Sequence, residues 1–153
     1  NDYPDLGIPI QHYTQVIADL IEMGRIKMSK EANMLVTYQD PCFLGKQNQI
    51  FDEPRKILTS IPGLDFADME RSKQRSLCCE GGGGRMWAEG GTEGMRNGEL
   101  RIKEAISLGA KVIATSCPFC LLTLEDAVTI HGSTDQIVAK DISELVVEAI
   151  DAA

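Results

Sequence analysis

The chain has 153 residues and a mass of 16.7 kDa, which is room for one ordinary domain with a sizeable core. A 43% hydrophobic and 25% charged composition excludes a disordered or fibrous chain. The 15 basic residues against 23 acidic ones give a net charge of -8 and a pI near 4.7, which argues against nucleic acid and anionic lipid as partners. No apolar run approaches the roughly 20 residues that cross a bilayer, and no basic-then-apolar leader opens the sequence, so direct membrane insertion is not expected. The start at Asn1 reads as a segment of a longer polypeptide, with a tag-removal scar as the alternative.

Tyr13 to Met23 places Val16, Ile17, Leu20 and Ile21 at helical spacing, with Gly24 as the stop. Met34 to Tyr38 reads as a short apolar strand that ends at Asp40-Pro41, with Cys42 directly after it. Asp52-Glu53-Pro54 starts a helix that continues from Arg55 to Ile61 and closes at Pro62-Gly63. A second strand is expected over Leu64 to Met69. From Arg71 to Gly98 the periodicity fades and glycines gather, including Gly81, Gly82, Gly83 and Gly84, which reads as a long functional loop or two short helical turns.

Asn97 to Leu108 is expected to be a helix ended by Gly109, and Lys111 to Thr115 a buried strand. Cys117-Pro118 closes that strand and begins a helix reaching about Ile130. Gln136 to Lys140 reads as a strand and Asp141 to Ala149 as a last helix, capped by Asp141 or Ser143. Alternating strands and helices predict an α/β fold: a doubly wound, Rossmann-like parallel sheet of about four strands with helices on both faces. With no internal repeat and no linker, residues 1–153 read as a single domain.

The five cysteines, Cys42, Cys78, Cys79, Cys117 and Cys120, form an odd set without a secretion signal, a poor fit to a disulfide framework. On this strand assignment all of them follow the carboxyl ends of parallel strands, where open α/β sheets build their crevices. In Cys117-Pro118-Phe119-Cys120 the proline suits the first helical position, so both thiols sit at a helix amino terminus that favours anions. Glycines at Gly81 to Gly83 let backbone N–H groups approach sulfur closely.

Sulfur-only ligation selects zinc or an iron–sulfur cluster. Structural zinc sites prefer two close cysteine pairs, and only one pair here has that spacing. The adjacent Cys78 and Cys79 suit a multi-iron object better than a single tetrahedral ion.

The pattern Asp40-Pro41-Cys42-Phe43-Leu44-Gly45, then Cys78-Cys79, then Cys117-Pro118-Phe119-Cys120, resembles the cysteine-rich CCG-domain family. The likeness runs from about Thr37 to Asp126. That family includes catalytic subunits of heterodisulfide reductase and iron–sulfur subunits of glycolate oxidase and anaerobic glycerol-3-phosphate dehydrogenase. The resemblance implies a [4Fe-4S] cluster held by the five cysteines, non-cubane and active on a disulfide in the heterodisulfide reductase branch. It further implies a carboxy-terminal part of a longer iron–sulfur subunit, working beside other iron–sulfur, flavin or membrane redox subunits. The location implied is the cytoplasm, with membrane association through those partners. The family places glycine after the double cysteine, where this chain has Glu80.

Two other classes stay open: a pure electron relay for a flavin dehydrogenase of glycolate, lactate or glycerol-3-phosphate type, and a structural zinc-binding module, zinc also being an artefact of aerobic handling. A glutaredoxin-like use of Cys117 and Cys120 is disfavoured, because no later proline accompanies the motif. The glycine run lacks the lysine signature of a phosphate loop. His12 and His131 read as surface or capping residues, Trp87 as core rather than a cluster cover, and Arg85 as solvated rather than neutralising a cluster.

Overall fold

A computed structural model describes residues 7–87 and 94–150. In chain order the elements are α1 (Tyr13–Glu22), β1 (Met34–Tyr38), α2 (Asp52–Thr59), β2 (Leu64–Phe66), α3 (Asn97–Ser107), β3 (Val112–Thr115), α4 (Pro118–His131), β4 (Val138–Asp141) and α5 (Ile142–Ala149). A single π turn, Phe43–Gln47, follows β1, and short 3-10 turns occupy Lys73–Arg75 and Arg85–Trp87. The long stretch after β2 therefore contains the two expected short turns. Its residues 88–93 lie outside the described region.

The strands pair in the order β2-β1-β3-β4, all parallel. Alternate side chains of the central strands feed two cores. Val36, Tyr38, Val112 and Ala114 pack with Ala18 of α1, Ile57 and Leu58 of α2, and Leu145 and Val146 of α5. Ile113 packs on the opposite side with Ile102 and Ala105 of α3 and Leu124 and Ala127 of α4. This is the doubly wound arrangement expected. Truncating a fully enclosed residue such as Ile57 or Ile113 to alanine costs about 2–5 kcal/mol.

Local chemistry fixes the element ends. His12 caps α1 by accepting from the Thr14 N–H, while the Gln15 side chain accepts from the His12 N–H. Asp141 caps α5 through the Ser143 N–H at 2.9 Å, and Ser143 is not the cap. Gly24, Gly63 and Gly109 end their elements as the sequence predicts, and Gly132 ends α4 in the same left-handed conformation.

Three expectations need correction. The second strand stops at Phe66 instead of Met69, because Asp68 turns to pair with Arg55 at 2.5 Å and Met69, 2% exposed, drops into the α3–α4 core. The fourth strand starts at Val138 instead of Gln136, since Ile137 is drawn into the same core. Trp87 is not core; it is 76% exposed.

Candidate metal centre

β1 and β3 are neighbours, yet the chain leaves β1 toward β2 and leaves β3 toward β4. The helices that follow, α2 and α4, lie on opposite faces. This is the topological switch point, where an open sheet leaves a crevice beyond its strand ends. Cys42 follows β1 there, and Cys117 and Cys120 follow β3.

Cys117 is the cap residue of α4, Pro118 its first helical residue, and Cys120 faces inward one turn on. The pair Cys78 and Cys79 arrives on the loop after β2. Buried Cys79 and Cys120 approach to 3.1 Å between sulfurs, and Cys117 shares a hydrogen bond with Cys120. Exposed Cys78 lies within electrostatic reach of exposed Cys42. All five cysteines thus gather at one end of the sheet.

Their acidities diverge. Cys117 is drawn down to about 6, chiefly by its hydrogen bond with Cys120 and further by the N–H groups of Cys120 and Phe119. Cys79 falls to about 7, first through Cys120 and, against burial, through the Gly81 N–H. Cys120, hydrogen-bonded to both, is pushed up, and partial desolvation of its sulfur pushes Cys78 up although the residue is exposed. Thiols drawn toward the thiolate form are the kind of donor soft metals select.

Backbone donors complete the set. The Glu80 N–H points to Cys78 Sγ and the Gly81 N–H to Cys79 Sγ, each at 3.4 Å. Gly81 is required by space: a Cβ there would stand 2.5 Å from the Phe119 carbonyl oxygen of α4. A Cβ at Gly82 or Gly83 would meet nothing described within 4 Å. Glu80 itself adopts φ +67°, the left-handed conformation that suits the glycine expected at this place. Its carboxylate accepts from the Asn97 N–H at 3.3 Å and stands 3.9 Å from Arg85.

The supporting residues were not singled out from sequence. Gln39 donates to the carbonyl of Leu77, directly before the cysteine pair, at 2.9 Å, and receives Arg101 Nε. Asp40 holds Arg55 through both carboxylate oxygens and accepts the Lys73 N–H, while Ser76 Oγ donates to the Asp40 carbonyl. Lys46 Nζ reaches the Ser76 carbonyl at 2.7 Å. The residues between β1 and Cys42 therefore grip the loop that delivers Cys78 and Cys79. The signal for Arg101 was present: Gly98, Arg101, Ile102 and Ala105 form the buried stripe of α3.

The cysteine-rich domain model of the CCG family matches residues 36–125. The chain belongs to the CCG cysteine-rich domain family. As a CCG domain it is 36% identical, over 98% of its length, to the probable iron-sulfur-binding oxidoreductase FadF of Bacillus subtilis, covering 21% of that protein. It is 40% identical over 95% of its length to a subunit of the dihydromethanophenazine:CoB--CoM heterodisulfide reductase of Methanosarcina barkeri, covering 35% of it. It is 33% identical over 99% of its length to the EtfAB:quinone oxidoreductase of Syntrophomonas wolfei, covering 22% of it. The chain thus spans about a fifth to a third of these relatives. They support an iron–sulfur electron-transfer role for this CCG domain among redox partner subunits. No helix among the described residues is long and apolar enough to cross a membrane.

Proposed function

We propose that Cys42, Cys78, Cys79, Cys117 and Cys120 hold a [4Fe-4S] cluster of the non-cubane type, and that the domain reduces a disulfide beside it. Reduction of one disulfide takes two electrons and two protons and yields two thiols. The electrons come from iron–sulfur, flavin or membrane redox subunits of a longer assembly, of which this chain is one domain, in the cytoplasm or held at a membrane through those subunits. When bound, the cluster supplies one-electron steps and iron sites that accept a sulfur atom.

The observation that carries this reading is the gathering of five thiols beside a crevice that remains open at Cys117. The adjacent Cys78 and Cys79 suit a multi-iron group, in which each binds a different iron, better than one tetrahedral zinc. An opening that reaches Cys117 favours substrate chemistry over a relay, which needs no such access. The chain's own part is to hold the thiolates, to donate the Glu80 and Gly81 N–H groups to sulfur, and to set the helix dipole of α4 behind Cys117.

The test is iron, zinc and acid-labile sulfide measured on anaerobically reconstituted protein, with each cysteine changed to serine in turn. Comparable iron and sulfide in the parent, lost in Cys79→Ser and Cys120→Ser while the far-ultraviolet spectrum is kept, is the expected result. Zinc alone after reconstitution overturns it.

A further inference from the structure

Cys42 and Cys78 are the exposed thiols, and each ends its own arm: Cys42 the segment leaving β1, Cys78 the loop after β2. Cys117 and Cys120 are placed by α4 itself, and Gly81 packs the following part of the cysteine loop on that helix. The spacing of the two exposed thiols is set by whatever joins their arms.

Gln39 touches both arms. The residue is 1% exposed, and its Nε2 donates to the Leu77 carbonyl at 2.9 Å and to the Asp40 carbonyl at 3.2 Å. Leu77 directly precedes Cys78, and Asp40 stands two residues before Cys42. An amide can serve two carbonyls only with its nitrogen turned toward them. Arg101 enforces that orientation: a guanidinium carries donors alone, so its Nε, 2.6 Å away, has to meet the amide oxygen. The same guanidinium donates through Nη1 to the Arg71 carbonyl at 2.9 Å and to Glu104 at 2.7 Å. The loop is thus held near its start, at Arg71, and near its end, at Leu77, from one buried pair of side chains.

Groups that hold a metal ligand's own segment fix the direction in which the ligand points. We infer that Gln39, oriented by Arg101, is a positioning residue that sets the spacing of Cys42 and Cys78, while α4 places Cys117 and Cys120 without it. That these sulfurs are ligands rests on the function proposed above; that one amide spaces two of them rests on the hydrogen bonds alone.

The experiment uses the full chain, cluster-free, with a bifunctional bimane that links two thiols standing close together, and peptide mapping of the linked pair. Gln39→Glu keeps an acceptor for Arg101 but turns an oxygen toward both carbonyls; Gln39→Met fills the space and makes none of the bonds. Both are expected to slow the Cys42–Cys78 link about tenfold, while a monofunctional bimane labels Cys42, Cys78 and Cys117 within about twofold of the parent rates. A purely structural role predicts instead that Gln39→Glu, with Arg101 still paired, links at the parent rate. An unchanged link rate in either variant, a fall matched by equal falls in single labelling, or no Cys42–Cys78 link in the parent overturns the inference. Where a variant loses its far-ultraviolet spectrum, Arg101→Lys takes its place with the same expectation, because one ammonium group cannot hold both the Gln39 oxygen and the Arg71 carbonyl in the geometry of a planar fork. Iron and sulfide uptake by the parent is measured alongside: if there is none, the function proposed above fails separately, and the link rate still decides what Gln39 does.

Discussion

Arg101 Nε donates to Gln39 Oε1 over 2.6 Å, with the arginine side chain wholly enclosed between α3 and the end of β1. Gln39 in turn donates to the Leu77 carbonyl, so a helix on one face of the sheet is tied to the residue preceding the cysteine pair. Burial draws Arg101 down from the usual arginine value while Glu104, 2.7 Å away, holds its charge.

Removing either partner strands a buried polar group. Arg101→Met is expected to cost about 3 kcal/mol, and Gln39→Leu about 2 kcal/mol, in urea unfolding. The double variant is expected to cost less than the two added together, because the second change no longer strands a partner. Strict additivity would show that the two side chains act independently.

Cys117 gives a pH signature in the cluster-free chain. A thiol with its midpoint at about 6 is mostly thiolate at pH 7, so alkylation by iodoacetamide at Cys117 rises through pH 6 and levels off near pH 7. Cys78, pushed up by partial desolvation of its sulfur, gains reactivity only in the alkaline range. Peptide mapping after timed labelling at pH 5 to 9 measures both. A Cys117 profile that keeps rising past pH 8 contradicts the assignment.

Glu80 carries two opposing contributions. Its left-handed backbone costs a residue with a Cβ about 1 kcal/mol, while its carboxylate at the start of α3 contributes about 0.5 kcal/mol. Glu80→Gly removes both and is expected to change stability by less than about 1 kcal/mol. Glu80→Ala keeps the strained backbone and loses the carboxylate, and is expected to be the less stable of the two. Chemical denaturation of the pair decides; an alanine variant more stable than the glycine one would contradict the strain.

Gly81→Ala tests the packing of the cysteine loop on α4. The added Cβ meets backbone, at the Phe119 carbonyl, and Thr123 Oγ1, both at 2.5 Å, so the loop must move. The expected result is lower iron and sulfide uptake on reconstitution, with the Gly82→Ala variant, which meets nothing within 4 Å, retaining uptake close to the parent.

Most of the fold was readable because propensity, periodicity and caps agreed with one another. The strand Met34–Tyr38 and the glycine-ended helices lie where the spacing puts them. The cysteines were readable because each follows a strand end, a position set by topology alone. What was hidden depends on partners far along the chain. Nothing local says that Asp68 will turn toward Arg55 and cut β2 short. An arginine on an apolar stripe looks like an error in the pattern until Gln39 and Glu104 are there to receive it. The π turn after Cys42 and the exposure of Trp87 likewise follow from tertiary placement.

The parallel sheet has one more implication, for biosynthesis. Cys42 after β1 and Cys117 after β3 come to the same edge only once β3 has been inserted beside β1, so the proposed ligand set has no counterpart in a partly made chain. Until β3 and α4 have been made, Cys42, Cys78 and Cys79 lack the strand and helix that carry Cys117 and Cys120. At the proposed site, metal delivery is therefore a late event, placed after translation has passed α4 and the slow pairing of distant parallel strands is complete.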